Sequence, residues 1–221
     1  VFAKLLGLPS EIVDSTARLL DLADSWPLRR VDLGRVNSRV FTFSAGVGLD
    51  ASVVAKVDAN PERKARLRQW FYVQSGITVF LRSYALRKPR IAVETETGEL
   101  AAATVLVQNG ENFTFAGAKP VTLCGNVGLD SGSFSAAVVN SGAPLKAGVT
   151  ALRIVGATAD SGGNNGTTQL GPLTSLRLRS SDGEPLPLQV DGDFAGLHQA
   201  VEFTIEPSAL TVLAPALTRQ A

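Results

Sequence analysis

From residue 90 to its end, the chain breaks into short β-prone runs with turn residues between them. This punctuation limits its fold more than any other feature. Arg90 to Glu96 alternates apolar and polar side chains, and Thr97-Gly98 follows as a turn. Ala103 to Gln108 is the next run. It is closed by Asn109-Gly110, a pair that tolerates the backbone angles of a tight turn. Ser133 to Val139, Leu152 to Val155, Ser175 to Arg179, Leu186 to Val190, Ala200 to Ile205 and Ala209 to Leu213 continue the series, with Gly, Pro, Asn and Asp between them. No repeat of fixed period is present. Many short strands and few helices predict a mainly β fold, an antiparallel β-sandwich or barrel-like domain with a few helices.

The first part of the chain reads differently. Pro9 and Ser10 carry helix-start signals, and Glu11 and Asp14 suit the positive end of a helix dipole. Ile12, Val13, Leu19, Leu20 and Ala23 recur at helical spacing until Trp26-Pro27. Val31 to Asn37 and Arg39 to Ser44 then predict a hairpin. A second helix is expected from Asn60-Pro61-Glu62 to about Leu86. Residues 62–90 hold Arg63, Lys64, Arg66, Arg68, Arg82, Arg87, Lys88 and Arg90 against the single acid Glu62, around an apolar, aromatic middle. Such a segment reads either as a buried helix with solvated basic ends or as a face resting on anionic lipid headgroups.

Composition excludes several chemistries. With one Cys (Cys124) and one His (His198) in 221 residues, no internal disulfide and no Cys/His zinc cluster can form. His198 is the only imidazole, and no Gly-x-Ser-x-Gly elbow surrounds any serine, so a serine-hydrolase triad is not expected. A net charge of +1 leaves no electrostatic footprint for a duplex, and no nucleic-acid partner is expected. No apolar run reaches the ~18 residues of a membrane-spanning helix. The segment Val1 to Pro9 is too short and too lightly charged for a secretory signal. Lacking an initiator Met, it reads as an interior cut of a longer chain. Asn112-Phe113-Thr114 and Asn165-Gly166-Thr167 then read as chance glycosylation triplets, and the expected location is the cytoplasm.

Three segments invite a phosphate-related reading. Ala45-Gly46-Val47-Gly48-Leu49-Asp50 lacks the third glycine of a dinucleotide fingerprint, and Ser161 to Thr168 has no lysine before its Thr pair. The latter reads as a mobile surface loop. Val190-Asp191-Gly192-Asp193 places two carboxylates about a glycine after an apolar strand. It is either a plain hairpin turn, for which Asp-Gly is a favoured pair, or a turn that presents a carboxylate to a metal–nucleotide complex.

Taken together and in order, these segments resemble the diacylglycerol kinase catalytic-domain family, which includes bacterial soluble lipid kinases and the sphingosine and ceramide kinases. Val1 to Pro9 is similar to the segment after the family's Gly-Thr-Ala/Gly-Asn element, and Phe41 to Ala51 to its Phe…Ala-Gly-x-Gly-x-Asp-Ala stretch. Val107-Gln108-Asn109 with Phe115 to Pro120 resembles its Asn…Gly-Gly…Pro stretch. Leu129 to Phe134 resembles its Asp-Asp-Gly turn, and Gln189 to Asp193 its Asp-Gly-Glu.

The resemblance implies a two-domain enzyme with its active site in the cleft between domains. Residues 1–28 would be the terminal helix segment of the ATP-binding domain, and 29–221 the β-sandwich C-terminal domain. The family's Gly-Gly-Asp-Gly-Thr element does not occur in this sequence. The implied reaction transfers the γ-phosphate of ATP to a lipid hydroxyl with Mg²⁺, by an enzyme peripheral to the membrane, with room for a homodimer. Phosphoryl transfer needs charge neutralisation and alignment, and neither requires His or Cys. Asp193 stands where the family has the Glu of Asp-Gly-Glu and takes the catalytic role, one methylene shorter. Asp191 and Gly192 match directly and would face the nucleotide. Asp130 matches the first Asp of a metal-holding turn whose second Asp is here Ser131. Two other readings are a non-catalytic lipid-binding or regulatory relative and an NAD kinase-like enzyme. The chain alone is expected to be inactive.

Overall fold

The computed structural model describes residues 1–9, 11–25, 27–48, 89–116, 119–125, 127–140 and 167–215. The expected helix over 60–86, the strand Leu152–Val155 and most of the Ser161–Thr168 loop lie outside the described residues.

Two helices precede the strands. The short α1 (Phe2–Leu5) was not expected. It ends in a Schellman-type arrangement, with Leu8 N–H donating to Ala3 O, Gly7 N–H to Lys4 O and Gly7 at φ +83°. The second, α2 (Ile12–Ser25), matches the expected helix. Its stripe of Ile12, Val13, Leu19 and Leu20 is exposed, so the face that the spacing marks as buried has no cover among the described residues.

Fourteen strands follow among the described residues: β1 (Leu28–Val36), β2 (Arg39–Phe41), β3 (Ser44–Gly48), β4 (Ile91–Thr95), β5 (Gly98–Ala102), β6 (Thr104–Gln108), β7 (Thr114–Ala116), β8 (Lys119–Val121), β9 (Phe134–Val139), β10 (Thr167–Leu173), β11 (Ser175–Ser180), β12 (Leu186–Val190), β13 (Asp193–His198) and β14 (Ala200–Leu213). They form two six-stranded sheets and one small ribbon. Sheet A has the order β2-β1-β14-β11-β4-β5, sheet B the order β10-β9-β6-β3-β12-β13, and β7 pairs with β8. Every pairing is antiparallel. The mainly β antiparallel sandwich read from the sequence is the architecture.

Alternate residues of each strand face the gap between the sheets, as the period of a strand requires. Val36, Phe41, Val93, Leu178, Val201 and Phe203 from sheet A meet Ala45, Val47, Val105, Phe134, Val138 and Leu188 from sheet B. Phe203 is central, edge-on to Phe41 with ring centroids 6.1 Å apart and tilted against Phe134 at 6.4 Å.

The outer faces differ. That of sheet A carries cross-strand ion pairs, Arg35–Glu206, Arg177–Glu202 and Arg179–Glu99, as a water-facing surface does. Beside it, Arg90 holds the Asp182 carboxyl down to about 2. Sheet B is buried on both faces along β3 and β6. Leu106 and Ala137 of its outer face lie under Phe113, Leu123 and Cys124, and burial pushes the Cys124 thiol up to about 12. Among the described residues no helix is long and apolar enough to cross a membrane.

Gly34 explains how β1 accepts the Phe41 ring. The two residues are opposite each other, and a Cβ at Gly34 would come within 2.0 Å of Phe41 Cζ. Phe41 is fully buried and has nowhere to move. Gly34→Ala is therefore expected to cost about 1–3 kcal/mol by overpacking. Urea denaturation should show the loss in the wild-type background and a smaller loss beside Phe41→Leu.

Candidate functional site

The register of sheet B gathers four connections at one end. Ser44 begins β3 opposite Gln108, the last residue of β6, and Gln108 is opposite Ser135 near the start of β9. Val190, the last residue of β12, pairs with Ala45 and with Asp193. The Thr42–Ser44 corner, the Asn109–Gly110 turn, the Gly128–Ser133 turn and the Asp191–Gly192 turn therefore emerge together. Three segments that the sequence singled out, around Asn109, Asp130 and Asp191–Asp193, share this end.

Asp191 and Gly192 are the two central residues of the β12–β13 hairpin, at φ +49° and +92°. Both values positive define the turn that matches strand twist, and Asp-Gly suits it. Gly192 N–H donates to Gln189 Oε1 at 2.9 Å. The Asp191 carboxylate is engaged by the chain itself. Thr42 N–H and Thr42 Oγ1 donate to Oδ2 at 2.8 and 2.9 Å, while Phe43 and Ser44 N–H donate to Oδ1 at 3.1 Å each. Asp191 N–H returns a bond to Ser44 O at 2.8 Å. Asp193 follows as the first residue of β13, and it is exposed.

Asn109 ties this corner to the other sheet. Its N–H donates to Phe43 O, and its Nδ2 reaches Thr42 O at 3.0 Å and Asp32 O at 3.1 Å. The side chain is fully buried, and its Oδ1 has no hydrogen-bond partner. Nothing among the described residues accounts for that orphan oxygen.

Asp32 is the residue the sequence reading missed. It lies where β1 slips register against β14, between Val31 and Leu33. It is buried, and its carboxylate accepts from Gly132 N–H at 2.6 Å and Ser208 N–H at 2.7 Å. Its own N–H donates to Leu129 O. The signal was a carboxylate in the middle of an apolar strand, which demands buried donors. Gln108 was also missed as an organiser. Its Nε2 donates to Gly110 O and Glu111 O, and its Oε1 accepts from Leu123 N–H, so it staples the loop after β6.

Asp130 is exposed on the Gly128–Ser133 turn. Its neighbour Ser131 turns its hydroxyl inward, 2.9 Å from Gly128 O and 3.0 Å from Ser133 Oγ. The turn thus offers one carboxylate where the family pattern has two. Among the described residues no three Asp, Glu, Cys or His side chains come together as a metal cage.

The α1 helix closes over this end. A Cβ on Gly110 would lie 3.0 Å from Leu129 Cδ2 and 3.7 Å from Leu5 Cδ1, so the turn is in close contact with both. Lys4 Nζ lies 5.1 Å from the centre of the Phe115 ring. His198, at the opposite end of β13, bonds Ala195 O and Asn37 as an ordinary structural residue.

No family model matches the chain, and no curated protein does. Solved structures do. A candidate diacylglycerol kinase from Bacillus anthracis superposes with a TM-score of 0.68 at 20% identity, covering 97% of this chain and 66% of that one. Another from the same organism gives 0.67 at 19% identity, covering 97% and 65%. A diacylglycerol kinase structure, also from Bacillus anthracis, gives 0.62 at 16% identity, covering 97% and 62%. At these identities the likeness is one of fold. The chain spans just under two thirds of the length of the structures it resembles.

Asp32→Ala would take the acceptor from the N–H groups of half-buried Gly132 and exposed Ser208. With the Ser208 N–H open to water, the cost falls mainly on Gly132, and the variant should lose about 1–3 kcal/mol. Chemical denaturation of Asp32→Ala beside Asp32→Asn, which keeps one acceptor oxygen, measures this, with the Asn variant intermediate.

Proposed function

We propose that this chain is the β-rich part of an ATP-dependent lipid kinase that transfers the γ-phosphate to a lipid hydroxyl. The observation carrying the reading is the convergence of the Asp191-Gly192-Asp193 hairpin, the Asn109 turn and the Asp130 turn at one end of sheet B, in a fold shared with diacylglycerol kinase structures over 97% of the chain.

In the transfer, the lipid oxygen forms a bond to the γ-phosphorus as the bond from that phosphorus to the bridging oxygen breaks. The electron pair leaves with ADP, and the alcohol proton must be taken up. Asp193 takes it, being the exposed carboxylate of the hairpin, and its place on a paired strand fixes its direction. Lys4 adds positive charge at the same end, and Asp130 supplies one carboxylate. A Mg²⁺ ion bound with the nucleotide would need only one or two protein carboxylates, and it would supply positive charge against the phosphates. One carboxylate at Asp130 fits that use.

The division of the chain belongs to the same proposal. Residues 1–28 complete an ATP-binding domain, and 29–221 form the second domain. The exposed Ile12, Val13, Leu19 and Leu20 of α2 support this, as a surface that a further domain would cover. Diacylglycerol or a related lipid is the acceptor, and the enzyme works at a membrane surface. Residues 62–88 of the basic segment, which would touch that surface, lie outside the described residues, and Arg90 at its end pairs with Asp182.

The test uses the protein at its full natural length with radiolabelled ATP and vesicles containing diacylglycerol, a sphingoid base or a glycolipid. Transfer to one of these lipids is expected, with kcat falling about 10²–10⁴-fold in Asp193→Asn. Lipid binding without any transfer would replace this reading with that of a non-catalytic relative. An unimpaired Asp193→Asn would remove that residue from the mechanism.

A further inference from the structure

The resemblance assigns Asp191 and Asp193 together to the nucleotide and the reaction, but their surroundings separate them. We infer that Asp191 is a positioning residue: its carboxylate organises the Thr42–Ser44 corner, and through the hairpin it aims Asp193. The inference rests on the kinase reading above for its consequence, though not for its geometry.

The argument begins with the capacity of a carboxylate. Two oxygens offer about four acceptor sites. Asp191 has four donors on them, three backbone N–H groups and one hydroxyl, all between 2.8 and 3.1 Å. A metal or a nucleotide hydroxyl at those oxygens would have to displace the four donors that already fill them. The three N–H groups belong to consecutive residues, Thr42, Phe43 and Ser44, where the chain leaves β2 and enters β3. At such a corner the strand ladder supplies no acceptor, so the carboxylate provides what the sheet cannot. Asn109 completes the hold by taking the two carbonyls on the same stretch, Phe43 O through its backbone and Thr42 O through its side chain.

The same contacts set the conformation of the hairpin. Asp191 is held in the left-handed region by its own N–H to Ser44 O and by its carboxylate. Gly192 follows in that region, tied to Gln189. Asp193 is the next residue, paired with Val190, so the direction of its side chain follows from the turn. Of the two acids, Asp193 is the exposed one and Asp191 is half-buried.

Two substitutions separate a positioning role from a contacting one. Asn keeps an acceptor oxygen and suits positive φ, whereas Ala loses both. Asp191→Asn keeps one oxygen, and so two of the four bonds, and should hold kcat within about thirtyfold of wild type, the size of two lost hydrogen bonds, with KM for Mg·ATP unchanged. Asp191→Ala should lose kcat by a factor approaching that of Asp193→Asn. Hydrogen exchange on the same proteins should show the amides of Phe43 and Ser44 losing protection in Asp191→Ala and keeping it in Asp193→Asn. Asp191→Asn as inactive as Asp193→Asn, with those amides still protected, would overturn the inference and make Asp191 a direct ligand. Should the wild-type protein transfer no phosphate, the kinase reading fails alone. The exchange data then decide, and unchanged protection in Asp191→Ala defeats the positioning role.

Discussion

Backbone amides at the end of a sandwich have no strand to pair with, and the candidate site depends on how this chain answers that constraint. It uses two carboxylates. Asp191 accepts from the corner that opens β3, and Asp32 accepts from the turn before β9 and from the irregularity in β14. Asn109 lies between them, its amide reaching Asp32 O on sheet A and Thr42 O beside sheet B. The two sheets are joined here by polar bonds, not by side-chain packing alone. A buried acceptor with several charge-assisted bonds is costly to disturb, so the geometry of the turns is held by groups that need not touch a substrate.

The large-scale fold was legible because strand period and turn chemistry act locally. Arg90–Glu96, Ala103–Gln108, Ser175–Arg179 and Leu186–Val190 each became a strand, since alternation and flanking turn residues are short-range properties. What failed to show were features set by distant partners. Ala200–Ile205 and Ala209–Leu213 read as two strands because Pro207 and Ser208 interrupt the pattern, yet they form one, β14. The interruption is absorbed by Asp32 across the sheet. Ala45–Gly48 stood out as a glycine-rich stretch that invited a phosphate-related reading, and it is β3, buried on both faces, where small residues allow close cover. α1 is too short for periodicity to reveal, and it is held by Leu6 against Val31, Leu129 and Ala214.

At the candidate site, sequence singled out turns that the fold brings to one end of sheet B, without showing how their residues bond. Asp191-Gly192 is a hairpin turn, one of the two readings the sequence allowed, and the structure shows where its carboxylate goes. The turn needs positive φ at both residues. Asp and Gly meet that need, and the Asp side chain then reaches the neighbouring corner. The division between Asp191 and Asp193 could not be seen in the order of residues, because it depends on Thr42, which is far away in the chain.

The surface gives the remaining direction. The outer face of sheet A is covered by paired charges on β1, β5, β11 and β14, and each exposed pair is worth only about 0–1 kcal/mol. Their effect is on what approaches: a hydrated set of Arg and Glu pairs gives an apolar surface no purchase, and desolvating it would cost more than the contact returns. Among the described residues, four of the seven large exposed apolar side chains lie on α2, Ile12, Val13, Leu19 and Leu20, and α2 follows α1 in the chain. The hydrated sheet A and the apolar stripe of α2 are thus two surfaces of different use, one for water and one for cover. α1, which leads into α2, packs on the Gly110 turn and Leu129, at the end of sheet B that also carries the Asp191–Asp193 hairpin.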